Sequence, residues 1–426
     1  MAIVDSYETI SLAEKQEIQK RTLRVLVAGQ MAGSAALSAA VTVGAFVIQD
    51  MLGQKTPWGG IASATVTVGT AFMAQLLSRL MLRQGRRRGL MLGYSLALLG
   101  GLIAGCGVEF QSLTVFLVGL FLFGNGQSAN LLSRYAATDL AEANQRGAAM
   151  SRILFASTFG AVLGPILIKP AEHLGQNLFG WNLYTGPWVF SGLFFITSFV
   201  NVALRLKPDP LILSGGTRSK HSATTLSNDE SRPSVIQFLV TSPRTRLAFY
   251  GIVISHVTMV AVMTMTPVHL REHGHETVSA YIISLHIAGM YAFSPLVGKF
   301  SDSKGRLNTL LVGCVVLIAS TVMSAMAGSN PAVFFPSLWL LGIGWSFGLI
   351  GASSLLIDSV PIEQRVRVQG AADVAMSLFG GLAGFSSGFI RSSFGFPWLS
   401  LLGTFIVLVL IAVLLLNIVR TQQEQS

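Results

Sequence analysis

Gly298-Lys-Phe-Ser-Asp302-Ser-Lys-Gly305-Arg306 is a short polar stretch between two long apolar runs, and it decides how the rest of the chain is read. Its logic is local: an acid near one helix end, a glycine that permits a tight turn, and cations facing a neighbouring helix end. Gly85-Arg86 repeats its last two residues 220 positions earlier, and the correspondence continues beyond the loop. Gly124-Asn-Gly126 pairs with Gly342-Ile-Gly344, Asp139 and Arg146 with Asp358 and Arg365, and Gly160 and Gly164 with Gly380 and Gly384, at offsets of 218 to 220. The chain is therefore a doubled unit. The first copy of the loop is degenerate, with Ser78 and Leu82 where the second has Gly298 and Asp302.

Each copy carries six apolar runs of about 20 residues, the length that spans a bilayer as a helix. They fall near 25–49, 58–82, 89–108, 112–133, 148–168 and 187–205, then near 246–268, 279–299, 309–328, 335–357, 368–390 and 397–419. Only 11% of the 426 residues are charged and 51% are hydrophobic, against roughly 25% charged in an ordinary soluble domain. That excludes a soluble enzyme. The fold class expected is an all-α membrane protein of twelve transmembrane helices. Because the repeat spans an even number of helices, its two six-helix halves run parallel, related by an axis along the membrane normal.

The expected organisation is an N-terminal segment 1–24, a first half 25–205, a linker 206–245, a second half 246–419 and a tail 420–426. The linker contains Pro208, Pro210, Gly215, Gly216 and Ser227-Asn228-Asp229-Glu230-Ser231, too polar to offset chain ordering by apolar burial. The first 23 residues lack the apolar core of a cleaved signal. Ser11 and Glu14 have capping-box spacing, which predicts a short helix there.

The net charge of +10 is a topology label. All but Lys55, Lys169, Arg271 and Arg391 of the 29 Lys and Arg lie on the side of the termini. By the positive-inside rule both termini of this multi-pass protein are cytoplasmic. The basic excess then needs no nucleic-acid partner. Two cysteines inside apolar runs, Cys106 and Cys314, make neither a disulfide framework nor a multi-cysteine metal site. The partners expected are the lipid bilayer and a small-molecule or metal-ion substrate, with the chain acting as a monomer and needing no cofactor.

On these motifs the chain resembles the major facilitator superfamily over nearly its whole length. The loop ending in Gly305-Arg306 is similar to that family's Gly-x-x-x-Asp-x-x-Gly-Arg signature. The resemblance implies a secondary transporter with a mid-membrane site between its halves, exposed alternately to each side. It makes Gly298, Asp302, Gly305 and Arg306, with Gly85 and Arg86, a gating loop, and Asp139, Arg146, Asp358 and Arg365 latch residues. Two family patterns are incomplete. The fourth-span arginine of many proton-driven exporters would fall near Leu120, and Gly160-x-x-x-Gly164-Pro165 is followed by Ile168 and Lys169 instead of the antiporter motif's last glycines. Asp373 remains a candidate for proton coupling.

Nine of the chain's 21 His and Met residues lie within 256–290: His256, Met259, Met263, Met265, His269, His273, His275, His286 and Met290. Met259 and Met263 share one face of span 7, and His286 and Met290 one face of span 8. Thioethers with an imidazole make a soft, uncharged site suited to Cu(I). An ionisable side chain inside the membrane, such as His286, usually lines a pathway. This pattern resembles the paired motifs of CcoA-like copper importers, a branch that also includes riboflavin carriers. The resemblance implies copper import across the bacterial inner membrane for respiratory oxidase assembly, with copper as the transported substrate. Met259, Met263, His286 and Met290 would be the binding residues and His256, Met265 and His269 accessory. The rival expectation is a carrier of a small organic molecule, by riboflavin uptake or proton-coupled efflux. It predicts an aromatic-lined cavity and draws attention to Trp345 in Gly344-Trp345-Ser-Phe347.

Overall fold

The computed structural model describes residues 11–52, 61–216 and 235–423. Every regular element among them is a helix. Helix α1 (Leu12–Leu52) starts where the capping-box spacing predicts, with the Ser11 hydroxyl accepting from the Glu14 N–H at 3.2 Å. It differs from the expected short helix in that it does not stop. Residues 12–27 hold no Pro or Gly to break it, so the N-terminal segment and the first span form one 41-residue helix.

α2 (Ile61–Gln84), α3 (Arg86–Glu109), α4 (Leu113–Ala136) and α5 (Arg146–Ile166) follow, then α6 (Ile168–Phe179), α7 (Thr185–Arg205) and the four-residue α8 (Pro210–Leu213). The short α6 was not foreseen. Its Ala171 and Gly175 pack on the start of α7, where a Cβ on Gly186 would come within 2.2 Å of the Ala171 carbonyl. Next come α9 (Val235–Thr241), α10 (Pro243–Glu272), α11 (Glu276–Tyr291), α12 (Ser294–Lys304), α13 (Arg306–Met326), α14 (Pro331–Asp358), α15 (Ile362–Phe394) and α16 (Phe396–Gln423). Span 8 is thus two helices. The chain breaks at Ala292 and Phe293, and Pro295 sits in the first turn of α12, where its missing N–H costs nothing.

Ten of the described spans are long and apolar enough to cross a membrane, with α11 and α12 together making one of them. With α1 and α5 they form the twelve-helix arrangement expected of the repeat. The chain divides into two compact units, Met1–Ser231 with Ile362–Val374, and Arg232–Pro361 with Ala375–Ser426. The start of α15, which the repeat assigns to the second half, therefore groups with the first unit.

In the first unit Phe123 packs edge-on against Trp188 and Phe195, at ring separations of 5.5 and 5.1 Å. In the second, α14 is buried along most of its length. The beginning of the linker is ordered: the Asp209 side chain accepts from Leu211 and Ile212 N–H groups and caps α8. Ser227–Ser231 lie outside the described residues, as does Lys55.

Candidate functional site

The predicted cluster of spans 7 and 8 lies in the second unit, on α10 and α11 against α14. Close approach of α11 and α14 is set by glycine: a Cβ on Gly342 would fall 2.3 Å from the His286 carbonyl and 2.7 Å from the Met290 nitrogen. That contact fixes His286. Its ring is fully buried, and Nδ1 lies 2.8 Å from the Leu338 carbonyl. A carbonyl only accepts, so Nδ1 carries the proton and Nε2 keeps its lone pair. Nε2 is buried and has no hydrogen-bond partner among the described residues. Met259 and Met290 are buried and Met263 is half-buried.

Of the accessory residues, the two histidines are held by hydrogen bonds. His256, near the middle of α10, accepts a hydrogen bond at Nδ1 from the Trp345 indole N–H at 3.1 Å. Trp345 lies mid-way along α14, with Tyr291 set edge-on to it at 5.8 Å. Gly380 on α15 leaves room for the imidazole, since a Cβ there would meet His256 Cδ2 at 2.5 Å. A Trp, a His and a Tyr from three helices are thus gathered where span 8 breaks; interrupted helices of this kind form midplane sites in many carriers. His269 donates Nε2–H to the Gly328 carbonyl at 2.7 Å and stacks on Phe396 at 4.7 Å. It is a strut between α10 and the turn after α13. Met265 is half-buried.

The loop residues form matching ion pairs in the two copies of the repeat. Arg86 clamps Asp139 through Nε and Nη2 at 2.8 and 3.0 Å, and Arg306 reaches Asp358 at 3.2 Å. Arg306 also binds Asp302 and the Ser301 hydroxyl. In the first copy, where Leu82 replaces the loop acid, the carboxylate comes from the linker. Asp209 accepts from the backbone N–H of Arg86 at 3.1 Å and of Arg87 at 2.7 Å. Gly85, at φ +87°, is required twice over, because a Cβ there would also strike the Asp209 carboxylate at 2.5 Å. Burial lifts the Asp139 carboxyl above the ordinary carboxylate range against the opposing pull of the Arg86 guanidinium.

Sequence reasoning missed Arg134. It stands in the last turn of α4, just past the predicted end of span 4, and its side chain is 1% exposed. It forms an ion pair with Asp373, itself fully buried, and lies 4.5 Å from the Tyr135 ring centre. Gln369, four residues before Asp373 on the same face of α15, accepts from Arg86 at 3.1 Å. A span drawn one residue longer would have included this buried charge. Gly160 marks the crossing of α5 over α1, where a Cβ would lie 2.6 Å from the Met31 carbonyl. Close helix packing accounts for its place in the sequence.

Comparison with known proteins accords with this architecture. The family model of the Major Facilitator Superfamily matches residues 26–384 and 276–426. The chain is 35% identical over 425 residues to the uncharacterized MFS-type transporter YddS of Bacillus subtilis, covering 97% of this chain and 95% of that one. It is 28% identical over 400 residues to the riboflavin transporter RfnT of Brucella anthropi, covering 93% and 96%. The human organic anion transporter MFSD10 superposes with a TM-score of 0.73 at 15% identity over 93% and 99% of the two chains, a likeness of fold alone.

Proposed function

The chain belongs to the major facilitator superfamily of membrane transporters, and on that premise we propose that it carries a small organic solute with a planar heteroaromatic ring, of the flavin class. Transport runs by alternating access across the bacterial inner membrane, with both termini in the cytoplasm. The observation that carries this reading is the mid-span grouping of Trp345, His256 and Tyr291 beside the break in span 8. The indole and phenol offer faces and edges for a flat ring. The buried His286 Nε2, without a hydrogen-bond partner among the described residues, is an unused acceptor in the same unit. The relative named as a riboflavin transporter supports the class, and Asp373 is the carboxylate proposed to take the coupling proton.

The test is uptake of labelled riboflavin in flavin-auxotrophic cells expressing the chain. Uptake should survive copper chelation and fall at least ten-fold in Trp345→Ala. No uptake above empty cells would refute the flavin assignment.

One observation favours a second reading, import of Cu(I). The same free Nε2 lies one helical turn from Met290, with Met259 buried on α10, a soft donor set. It predicts chelator-sensitive copper accumulation, lost in Met263→Ala with His286→Ala.

A further inference from the structure

We infer that the first unit binds a phosphate group at the membrane face, in a cavity open to the surface between the start of α1, the loop after α4 and the start of α5. The ligand we assign is the phosphoglycerol headgroup of an anionic lipid. Inorganic phosphate shares the recognised chemistry. The inference is independent of the transported solute.

The cavity measures about 380 Å³, within the range of small-molecule sites. Lys15 and Lys20 line it from α1 and Arg152 from α5. None of the three side chains forms an ion pair among the described residues. Glu142 is the one acid in the lining, and its Oε1 is engaged by the Gln16 amide at 3.4 Å. Three cations against one carboxylate leave the site doubly positive. Gln19 supplies the complementary group. Its Nε2 donates to the Ala137 carbonyl at 2.7 Å, which leaves Oε1 buried without a partner, an acceptor suited to a headgroup hydroxyl.

Position selects the lipid. Lys20 lies five residues before the apolar run that begins near residue 25, about 7.5 Å at the α-helical rise. That is the depth of headgroups outside the hydrocarbon core. Leu23 and Leu140 line the same cavity and offer an apolar wall to the glyceride end. Basic pockets at the cytoplasmic ends of membrane helices hold anionic headgroups in this way. Because Gln19 is tied to Ala137, two residues before Asp139, occupancy would also steady the loop that carries the Arg86 partner.

The test uses the full chain, purified in detergent, with phosphatidylglycerol, phosphatidylcholine and inorganic phosphate added separately. Bound lipid is counted by native mass spectrometry and stabilisation by thermal unfolding. Phosphatidylglycerol should bind and raise Tm where phosphatidylcholine does not. The triple variant K15Q/K20Q/R152Q should lose affinity at least five-fold. The charge-matched variant R83Q/R88Q/R244Q, altered at exposed positions, should keep it. Stabilisation by millimolar phosphate alone would support the site with free phosphate as its ligand. The inference is overturned if the lining variant binds both ligands as the unaltered chain does, or if the matched variant loses as much. If the triple variant does not fold, K20Q and R152Q singly carry the same comparison, each expected to lose about two-fold.

Discussion

Removing the guanidinium of Arg134 while keeping its length, as in Arg134→Met, strands the Asp373 carboxylate. The two side chains are 1% and 0% exposed, and Asp373 Oδ2 has no hydrogen-bond partner among the described residues. Taking one partner from a buried pair costs about 3–5 kcal/mol, because the other charge stays desolvated without compensation. The reverse deletion, Asp373→Leu, strands the arginine, whose Nε and Nη1 already have no hydrogen-bond partner among the described residues, and should cost a similar amount. Joining the two changes removes both charges, and such replacements are often neutral or stabilising by about 1–4 kcal/mol. The double variant should therefore lie within about 1 kcal/mol of the starting protein or above it, a coupling of at least ~5 kcal/mol between the sites. At about 2–4 °C per kcal/mol, each single variant should melt roughly 6–20 °C lower in detergent, and the double variant should recover. Additive losses, or single losses below ~1 kcal/mol, would show that water already solvates the pair and refute the reasoning.

Asp209→Ala removes the acceptor shared by the Arg86 and Arg87 amides and should cost about 1–2 kcal/mol as a lost helix cap. Hydrogen exchange at those amides should quicken at least ten-fold while the middle of α3 is unchanged. Gly342→Ala places a methyl 2.3 Å from the His286 carbonyl; forced apart by backbone, α11 and α14 should lose about 1–3 kcal/mol as overpacking does, read as a lowered Tm. Asp139 titrates above its ordinary 3.8 in the folded chain, so the folded state binds more protons than the unfolded one from that value up to the raised one. Its contribution to stability falls as pH rises through that window and is level above it. Asp139→Asn should flatten that slope in Tm measured against pH.

Where the sequence was legible, its signals were one-dimensional. The length of an apolar run, the 218–220 residue offset between copies and the sidedness of the cations are properties of order along the chain. They fix the twelve spans because a bilayer imposes one length and requires every backbone group to be satisfied inside a helix. The histidines and methionines of spans 7 and 8 could be placed on helix faces by the same 3.6-residue period.

Their neighbours could not, because contact depends on how each helix is rotated and how closely glycines let the backbones approach. Only the tertiary structure turned His286 toward the Leu338 carbonyl, joined His256 to Trp345 and set Arg134 on Asp373. The substituted loop acid shows the same division. Leu82 announces that a carboxylate is missing from the first loop, but chain order says nothing about a replacement 127 residues away. Folding brings Asp209 to the α3 amides, since a helix start with unsatisfied N–H groups attracts whatever anion the linker holds within reach.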